Sequence, residues 1–235
     1  MIVHEVFDIL AWAVAALTAY VMSRLAPTAF PVGKQRVTSY YAALIIGSAV
    51  GAFGLGTANL WLSGQPGFGR SIEGALFGAI VGVESYKAIA GIHERTGERF
   101  VLPLALGIAV GRVGCFLAGM DDFTYGTPTN LPWGHDFGDG IPRHPVQLYE
   151  SLAMLAFAVT YAVALKRGRS WPISIGFPTV VIFYGSQRFI GEFFKPYGTL
   201  ILGFSLFHLL SLALIAYGLF ILRETLHGDR AAKFS

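Results

Sequence analysis

Seven apolar runs occupy most of this 235-residue chain, at roughly 5–25, 39–62, 71–92, 100–118, 147–165, 172–194 and 201–222. A run of about 20 apolar residues is long enough to cross the hydrocarbon core of a bilayer as a helix. In lipid, backbone groups must be satisfied within the segment, so such runs are restricted to helices. Composition agrees: 54% of residues are hydrophobic and only 13% charged, about half the charged fraction of an ordinary soluble domain. The expected class is therefore an all-α membrane protein with seven transmembrane helices and a small outward-facing head. The length suits a single polytopic membrane domain over 1–235, with the loop 119–145 inserted between the fourth and fifth helices. The first run has no Lys or Arg before it, so it reads as a retained helix rather than a cleaved signal. One cysteine excludes an internal disulfide and a multi-cysteine metal site. No basic arm suggests nucleic acid.

The distribution of Lys and Arg sets orientation. With seven spans, Arg24, Lys34, Arg36, Lys87, Arg95, Arg99, Lys166, Arg167, Arg169, Arg223, Arg230 and Lys233 fall on one side. Arg70, Arg143 and Lys195 fall on the other, and Arg112 and Arg188 lie inside spans. The bias places the N-terminus outside, the C-terminus in the cytoplasm and the loop 119–145 outward. Glycines at helical spacing, Gly47 with Gly51, Gly78 with Gly82 and Gly107 with Gly111, are expected to let helices pack closely.

A charge in the bilayer interior costs about 2.5–3.5 kcal/mol on insertion scales, so each requires a reason. Arg112, Arg188 and Glu192 sit in the last thirds of outward-running spans; Glu73, Gln147, Tyr149 and Glu150 sit near the starts of inward-running ones. All gather in the outer half of the membrane, beneath the loop that carries Arg143 and His144. Arginines there suit a phospholipid phosphate, which a guanidinium grips with two parallel hydrogen bonds. The competing reading is internal neutralisation, Arg188 with Glu192 at i,i+4 and Arg112 with Glu73 or Glu150. Cys115 is expected to be a buried filler rather than a nucleophile. His135, Asp136 and Asp139 read as loop and turn residues rather than metal ligands. Glu84 and Lys87 read as an i,i+3 pair, and His208 as bonding a neighbouring helix.

Three stretches carry a resemblance. Gly111-Arg112-Val113-Gly114-Cys115-Phe116 precedes the loop, Pro142-Arg143-His144-Pro145-Val146-Gln147-Leu148-Tyr149-Glu150 closes it, and Tyr184-Gly185-Ser186-Gln187-Arg188-Phe189-Ile190-Gly191-Glu192-Phe193-Phe194 follows. These resemble the signatures of the prolipoprotein diacylglyceryl transferases, most closely in the second stretch. The resemblance implies a seven-span enzyme of the bacterial inner membrane that moves a diacylglyceryl group from phosphatidylglycerol to the cysteine thiol of a lipobox in a preprolipoprotein, among membrane lipids and without metal or cofactor. Carried over by position, Arg112 and Arg188 hold the lipid phosphate, and Arg143 stands at the mouth with His144. Glu150, Glu192, Tyr149 and Tyr184 brace the site beside Gln147. The chain departs from the family at Cys115, Ala118 and Met120, where the family has Asn, Asn and Glu. Glu73 stands in the place of a family histidine, and His4-Glu5-Val6-Phe7 lacks the family's tyrosine. The phosphate-gripping half is kept and the proton-handling half is altered, with Glu73 the candidate base. An acceptor other than a lipoprotein, or a catalytically inactive phospholipid-binding or assembly-partner protein, is the alternative. A transporter is disfavoured by the absence of an apparent repeat and by a polar layer away from the bilayer centre.

Overall fold

The computed structural model describes residues 2–25 and 31–233, and the side chains of 5–24 and 31–227 among them. His4, Arg230 and Lys233 lie outside the described side chains. Among the described residues, seven long helices occupy the seven apolar runs, joined by one short helix: α1 (Ile2–Leu25), α2 (Val37–Leu62), α3 (Ile72–Ala90), α4 (Val101–Ala118), α5 (Val146–Lys166), α6 (Trp171–Ser174), α7 (Gly176–Glu192) and α8 (Leu206–Lys233). Five of the described segments are long and apolar enough to cross a membrane: Glu5–Arg24, Val37–Leu62, Glu98–Asp122, Val146–Lys166 and Leu206–His227. The other two long helices differ for readable reasons. α3 carries Glu73, Glu84 and Lys87 within 19 residues, and α7 has only 17 residues and holds Arg188 and Glu192.

Helix boundaries follow local chemistry. Ser71 caps α3 by accepting from the Gly74 N–H at 3.0 Å, and Gly91 ends it in the left-handed region at φ 64°. Glu73 at the start of α3 and Lys87 near its end also complement the helix dipole. The sixth apolar run does not form one helix. It breaks at Ile175 (φ −132°), between α6 and α7, where Pro172 and Gly176 flank the joint. The seventh run enters its helix later than its hydropathy suggests. Residues 201–204 form a turn with Gly203 at φ 81°, and Ser205 then caps α8.

The chain forms two compact units. One comprises α1, α4, α5, α6, α7, the loop between α4 and α5, and α8 from Ile215 onward. Within it α4 packs against both α1 and α5, and α5 packs on α7. A Cβ on Gly114 would lie 2.3 Å from the Cβ of Phe7, whereas one on Gly107 would meet Ala15 at an ordinary 3.4 Å. A tight approach on α4 is therefore made at Gly114, while Gly107 allows ordinary contact. The second unit comprises α2, α3 and the start of α8 up to Leu214. There the glycine pairing of α2 with α3 is as expected. A Cβ on Gly78 would lie 2.1 Å from the carbonyl oxygen of Gly47, and one on Gly51 would lie 2.1 Å from that of Gly74. Only hydrogen side chains permit this backbone contact.

The loop between α4 and α5 is ordered by its own backbone. His135–Asp136 (β1) pairs antiparallel with Pro142–Arg143 (β2), His135 opposite Arg143. The Thr129 N–H donates to Pro142 O at 2.9 Å, the His144 N–H donates to Thr127 O at 3.0 Å, and the Thr127 N–H donates to Phe194 O at 2.6 Å. The last bond ties the loop to the turn that follows α7. Asp136 accepts from the Gly138 and Gly140 N–H groups at 2.8 and 3.0 Å. It is thus a turn former, as its Gly-rich setting suggests.

Candidate functional site

In the first unit, α4, α5 and α7 each contribute charge to one buried cluster. Glu150 lies one turn into α5. Position along that helix is fixed by Ser151, whose hydroxyl donates to Ala109 O of α4 at 2.7 Å. Arg112, on the next turn of α4, brings its Nε to 2.6 Å from Glu150 Oε2. On α7, Arg188 donates through Nη1 to Glu150 Oε1 and through Nη2 to Glu192 Oε2 at 2.8 Å. Lys195, in the turn after α7, donates to Glu150 Oε1 at 2.7 Å and lies 3.8 Å from Glu192 Oε2. The side chains of these five residues are at most 6% exposed. Tyr184, one turn before Arg188, is fully buried.

Both pairings expected as alternatives to ligand binding are thus made, Arg188 with Glu192 and Arg112 with Glu150. Glu150 alone faces three cations, Arg112, Arg188 and Lys195. Buried ion pairs are weak devices for stability, and ionisable side chains gathered inside the apolar runs make this cluster the candidate site. Arg112 Nη1 also lies 3.7 Å from the Sγ of Cys115, which is buried in α4.

Gln147, on the same face of α5 as Glu150, is wholly buried. Its Nε2 donates to Thr124 at 3.3 Å, while its Oε1 has no hydrogen-bond partner among the described residues. Arg143 lies outside the charge cluster. Its guanidinium pairs with Asp139 at 2.5 Å and stands over the Tyr125 ring at 5.1 Å. The guanidinium holds the Asp139 carboxyl below its usual range, aided by the Ile141 N–H. His144 and Tyr149 form a second polar group at the entry of α5. Tyr149 accepts from Trp133 Nε1 at 2.8 Å, and His144 Nδ1 is 3.4 Å from the Tyr149 hydroxyl. The His144 ring packs against Phe194 at 5.0 Å.

Glu73 belongs to the second unit. It is fully buried on α3 and accepts from the Ser211 hydroxyl of α8 at 2.6 Å. His208 engages the start of its own helix: its Nδ1 accepts from the Ser205 N–H at 3.0 Å, where bonding to another helix is the sequence expectation. Glu84 and Lys87 pair at 3.2 Å as their spacing suggests.

Lys195 is the residue that sequence reasoning misses. Its place beyond the sixth apolar run reads as a solvated loop cation. A signal was nevertheless present: Arg188, Glu192 and Lys195 are spaced by four and three, so a helical continuation sets them on one face. The turn after α7 keeps that register, with the Lys195 N–H donating to Glu192 O at 3.1 Å.

Against known proteins, the family model described as prolipoprotein diacylglyceryl transferase matches residues 4–223. A phosphatidylglycerol–prolipoprotein diacylglyceryl transferase of Geobacter sulfurreducens is 34% identical over 167 residues, covering 64% of this chain and 59% of the relative. A protein of the same name from Azoarcus sp. is 32% identical over 171 residues, covering 68% and 62%. Another, from Nitrosomonas europaea, is 36% identical over 131 residues, covering 52% and 46%. The chain thus spans less than two thirds of the length of these curated relatives. With a family match running through every long helix, and with the buried arginines supplied by the segments that carry the resemblance, the chain belongs to the prolipoprotein diacylglyceryl transferase family.

Proposed function

We propose that this protein transfers a diacylglyceryl group from phosphatidylglycerol to the cysteine thiol of a lipobox in a preprolipoprotein, in the outer half of a bacterial inner membrane. The reading takes all seven long helices as spans, with the N-terminus outside and the C-terminus cytoplasmic. It takes the chain as one membrane domain whose 119–145 loop forms an outward head. The observation that carries it is the buried meeting of Arg112 and Arg188 around Glu150. The names of the relatives support the same donor and acceptor.

The chemistry is a substitution at carbon. The thiol loses its proton, its sulfur forms a C–S bond to the terminal glyceryl carbon of the donor, and the C–O bond to phosphate breaks. Glycerol phosphate leaves with the bonding electrons. The developing phosphate charge is where preorganised cations act most strongly, and Arg112 and Arg188 are suited to it. Glu150 and Glu192 hold the guanidinium groups in place, with Tyr184 beside them. Gln147 offers a headgroup hydroxyl a buried amide oxygen that has no partner among the described residues. Arg143, His144 and Tyr149 serve the outer mouth. Glu73 takes the thiol proton in this reading, a role that rests on the resemblance alone. No metal or cofactor is required by the reaction.

The test is transfer in a reconstituted system, with phosphatidylglycerol and a fluorescent lipobox peptide offered to the wild type, Arg112→Ala and Glu73→Gln. Lipidated peptide from the wild type, lost in both variants, is the expected result. Absence of product together with Arg112-dependent lipid binding would leave a phospholipid-binding protein and overturn the transferase reading.

A further inference from the structure

Gln147 lies one turn before Glu150 on α5 and is wholly buried, yet its amide oxygen is unused. Nε2 donates to the Thr124 hydroxyl at 3.3 Å, and Oε1 has no partner among the described residues. The Thr124 hydroxyl has one proton, and it donates that proton to Asp122 Oδ2 at 2.6 Å. A hydroxyl whose proton is committed can only accept. It therefore takes the NH2 end of the Gln147 amide, and the oxygen end is turned away from it. A hydroxyl free to rotate would serve either end, and the amide could flip. An acceptor left unsatisfied in a buried place is costly, so an incoming donor gains most there. The backbone seats this chain of contacts. Phe123, between the two loop residues, is in the left-handed region at φ 51°, a conformation costly for any residue but glycine. Two residues on from Thr124, a Cβ on Gly126 would lie 2.2 Å from His144 O. The segment is thus pressed against the helix entry that carries Gln147.

We propose that Asp122 and Thr124 are positioning residues for Gln147: through a one-way chain of hydrogen bonds they fix its amide with the oxygen held as a buried acceptor for a hydroxyl of the leaving headgroup. The inference deepens the proposed function and rests on its lipid donor. The chain runs from Gln147 Nε2 to Thr124 Oγ1 to Asp122 Oδ2. An ionised carboxylate only accepts, so the direction is set at that end. Neither loop residue touches the reacting atoms; both act through Gln147. Both also lie in the loop, outside the apolar runs' conserved-looking charges and outside the three stretches that carry the resemblance, whereas Gln147 lies within the second of them. The loop thus sets which end of that amide faces the substrate. With the oxygen presented, a headgroup hydroxyl is bound; with the amide flipped, two N–H donors would face it instead.

The test uses two phospholipids of equal charge and headgroup length, phosphatidylglycerol and phosphatidylpropanol, the second without the hydroxyls. Purified protein in detergent is loaded with a fluorescent phosphatidylglycerol, which each unlabelled lipid then displaces. The ratio of the two displacing concentrations is read on one preparation, so it does not depend on the folded fraction. A structural defect alone would weaken both lipids alike and leave the ratio unchanged. The wild type is expected to favour phosphatidylglycerol by about tenfold, the worth of one hydrogen bond to a buried acceptor. Gln147→Met is expected to lose the preference. Thr124→Val and Asp122→Ala are expected to reduce it to about twofold or less, and Thr124→Ser, which keeps the hydroxyl, to stay within about twofold of wild type. A wild type without preference, or a full preference kept in either Thr124→Val or Asp122→Ala, would overturn the proposal. The peptide-transfer assay runs beside it and separates the two readings. Lipidated peptide from the wild type, with unchanged preference in Thr124→Val, removes this inference alone. No lipidated peptide from a wild type whose preference depends on Thr124 removes the transferase reading and keeps the positioning role.

Discussion

Replacing Glu150 with glutamine is the most informative single change to the cluster. The substitution keeps the volume and removes one charge. Three cations then lose their common carboxylate: Arg112 Nε at 2.6 Å, Lys195 Nζ at 2.7 Å and the contacting Arg188 Nη1. Removing one partner of a buried ion pair costs about 3–5 kcal/mol, because the other charge stays buried without compensation. Here a single carboxylate serves three partners, so the cost belongs at the top of that range, about 5 kcal/mol. Net stability in folded proteins is about 5–15 kcal/mol, so Glu150→Gln is expected to lose between about a third and all of it. Glu192→Gln provides the internal comparison. Glu192 meets Arg188 at 2.8 Å and Lys195 only at 3.8 Å, so its loss should cost about 3 kcal/mol, near the lower end of the same range. Unfolding in mixed micelles, followed by circular dichroism against SDS fraction, reads both. The double variant Glu150→Gln/Lys195→Met should be more stable than Glu150→Gln alone, since it removes one of the stranded cations. A Glu150→Gln protein within about 1 kcal/mol of wild type, or one more stable than Glu192→Gln, would refute the shared-carboxylate account.

Other outcomes follow from the same geometry. Gly78→Ala should destabilise the second unit by about 1–3 kcal/mol, because its Cβ would lie 2.1 Å from the backbone oxygen of Gly47; Gly64→Ala, where nothing lies within 4 Å but φ is 72°, would test strain without the clash, and the two should separate in their effect on α2–α3 disulfide cross-linking. Ser211→Ala removes the donor at 2.6 Å from the buried Glu73 carboxylate and should cost about 1–3 kcal/mol, read by the same micellar unfolding. Asp139 gives the pH dependence of the head loop. Its folded pKa lies below the unfolded value through the Arg143 pair. The stabilisation is therefore fully present above the ordinary carboxylate value of about 3.9 and is lost as pH falls through the lower folded pKa. Carboxylate NMR of labelled aspartate should show the loop intact from neutral pH down to about pH 4, and Asp139→Asn should abolish the acidic transition.

The comparison of sequence with structure divides along physical lines. Apolar run length alone located the helices, because lipid-length segments leave the backbone no other way to satisfy its hydrogen bonds. Helix spacing was enough to foresee the Arg188–Glu192 and Glu84–Lys87 pairs, since residues three or four apart share a face. The glycine pairing between α2 and α3 was legible for the same reason. The close contact at Gly114 was not legible in the same way, because which glycine meets a neighbour depends on how α1 lies across α4.

Other features required long-range closure. That Arg112, on α4, and Arg188, on α7, share the carboxylate of Glu150, on α5, is a property of three helices brought together, and spacing within one chain segment cannot state it. The role of Lys195 was hidden by the break between an apolar run and a loop. Hydropathy counts it as solvated, whereas the turn after α7 folds it back under Glu150. The partners of Arg143 and His144 at the mouth were likewise hidden: the β-pairing of the loop and the entry of α5 sent the first to Asp139 and the second toward Tyr149. The sequence by itself therefore determined the helical membrane architecture, the family and most of the residues at issue. Only the tertiary structure decided their charge balance, because the energy of a buried ion depends on the through-space distance to every other charge and on the exclusion of water around it.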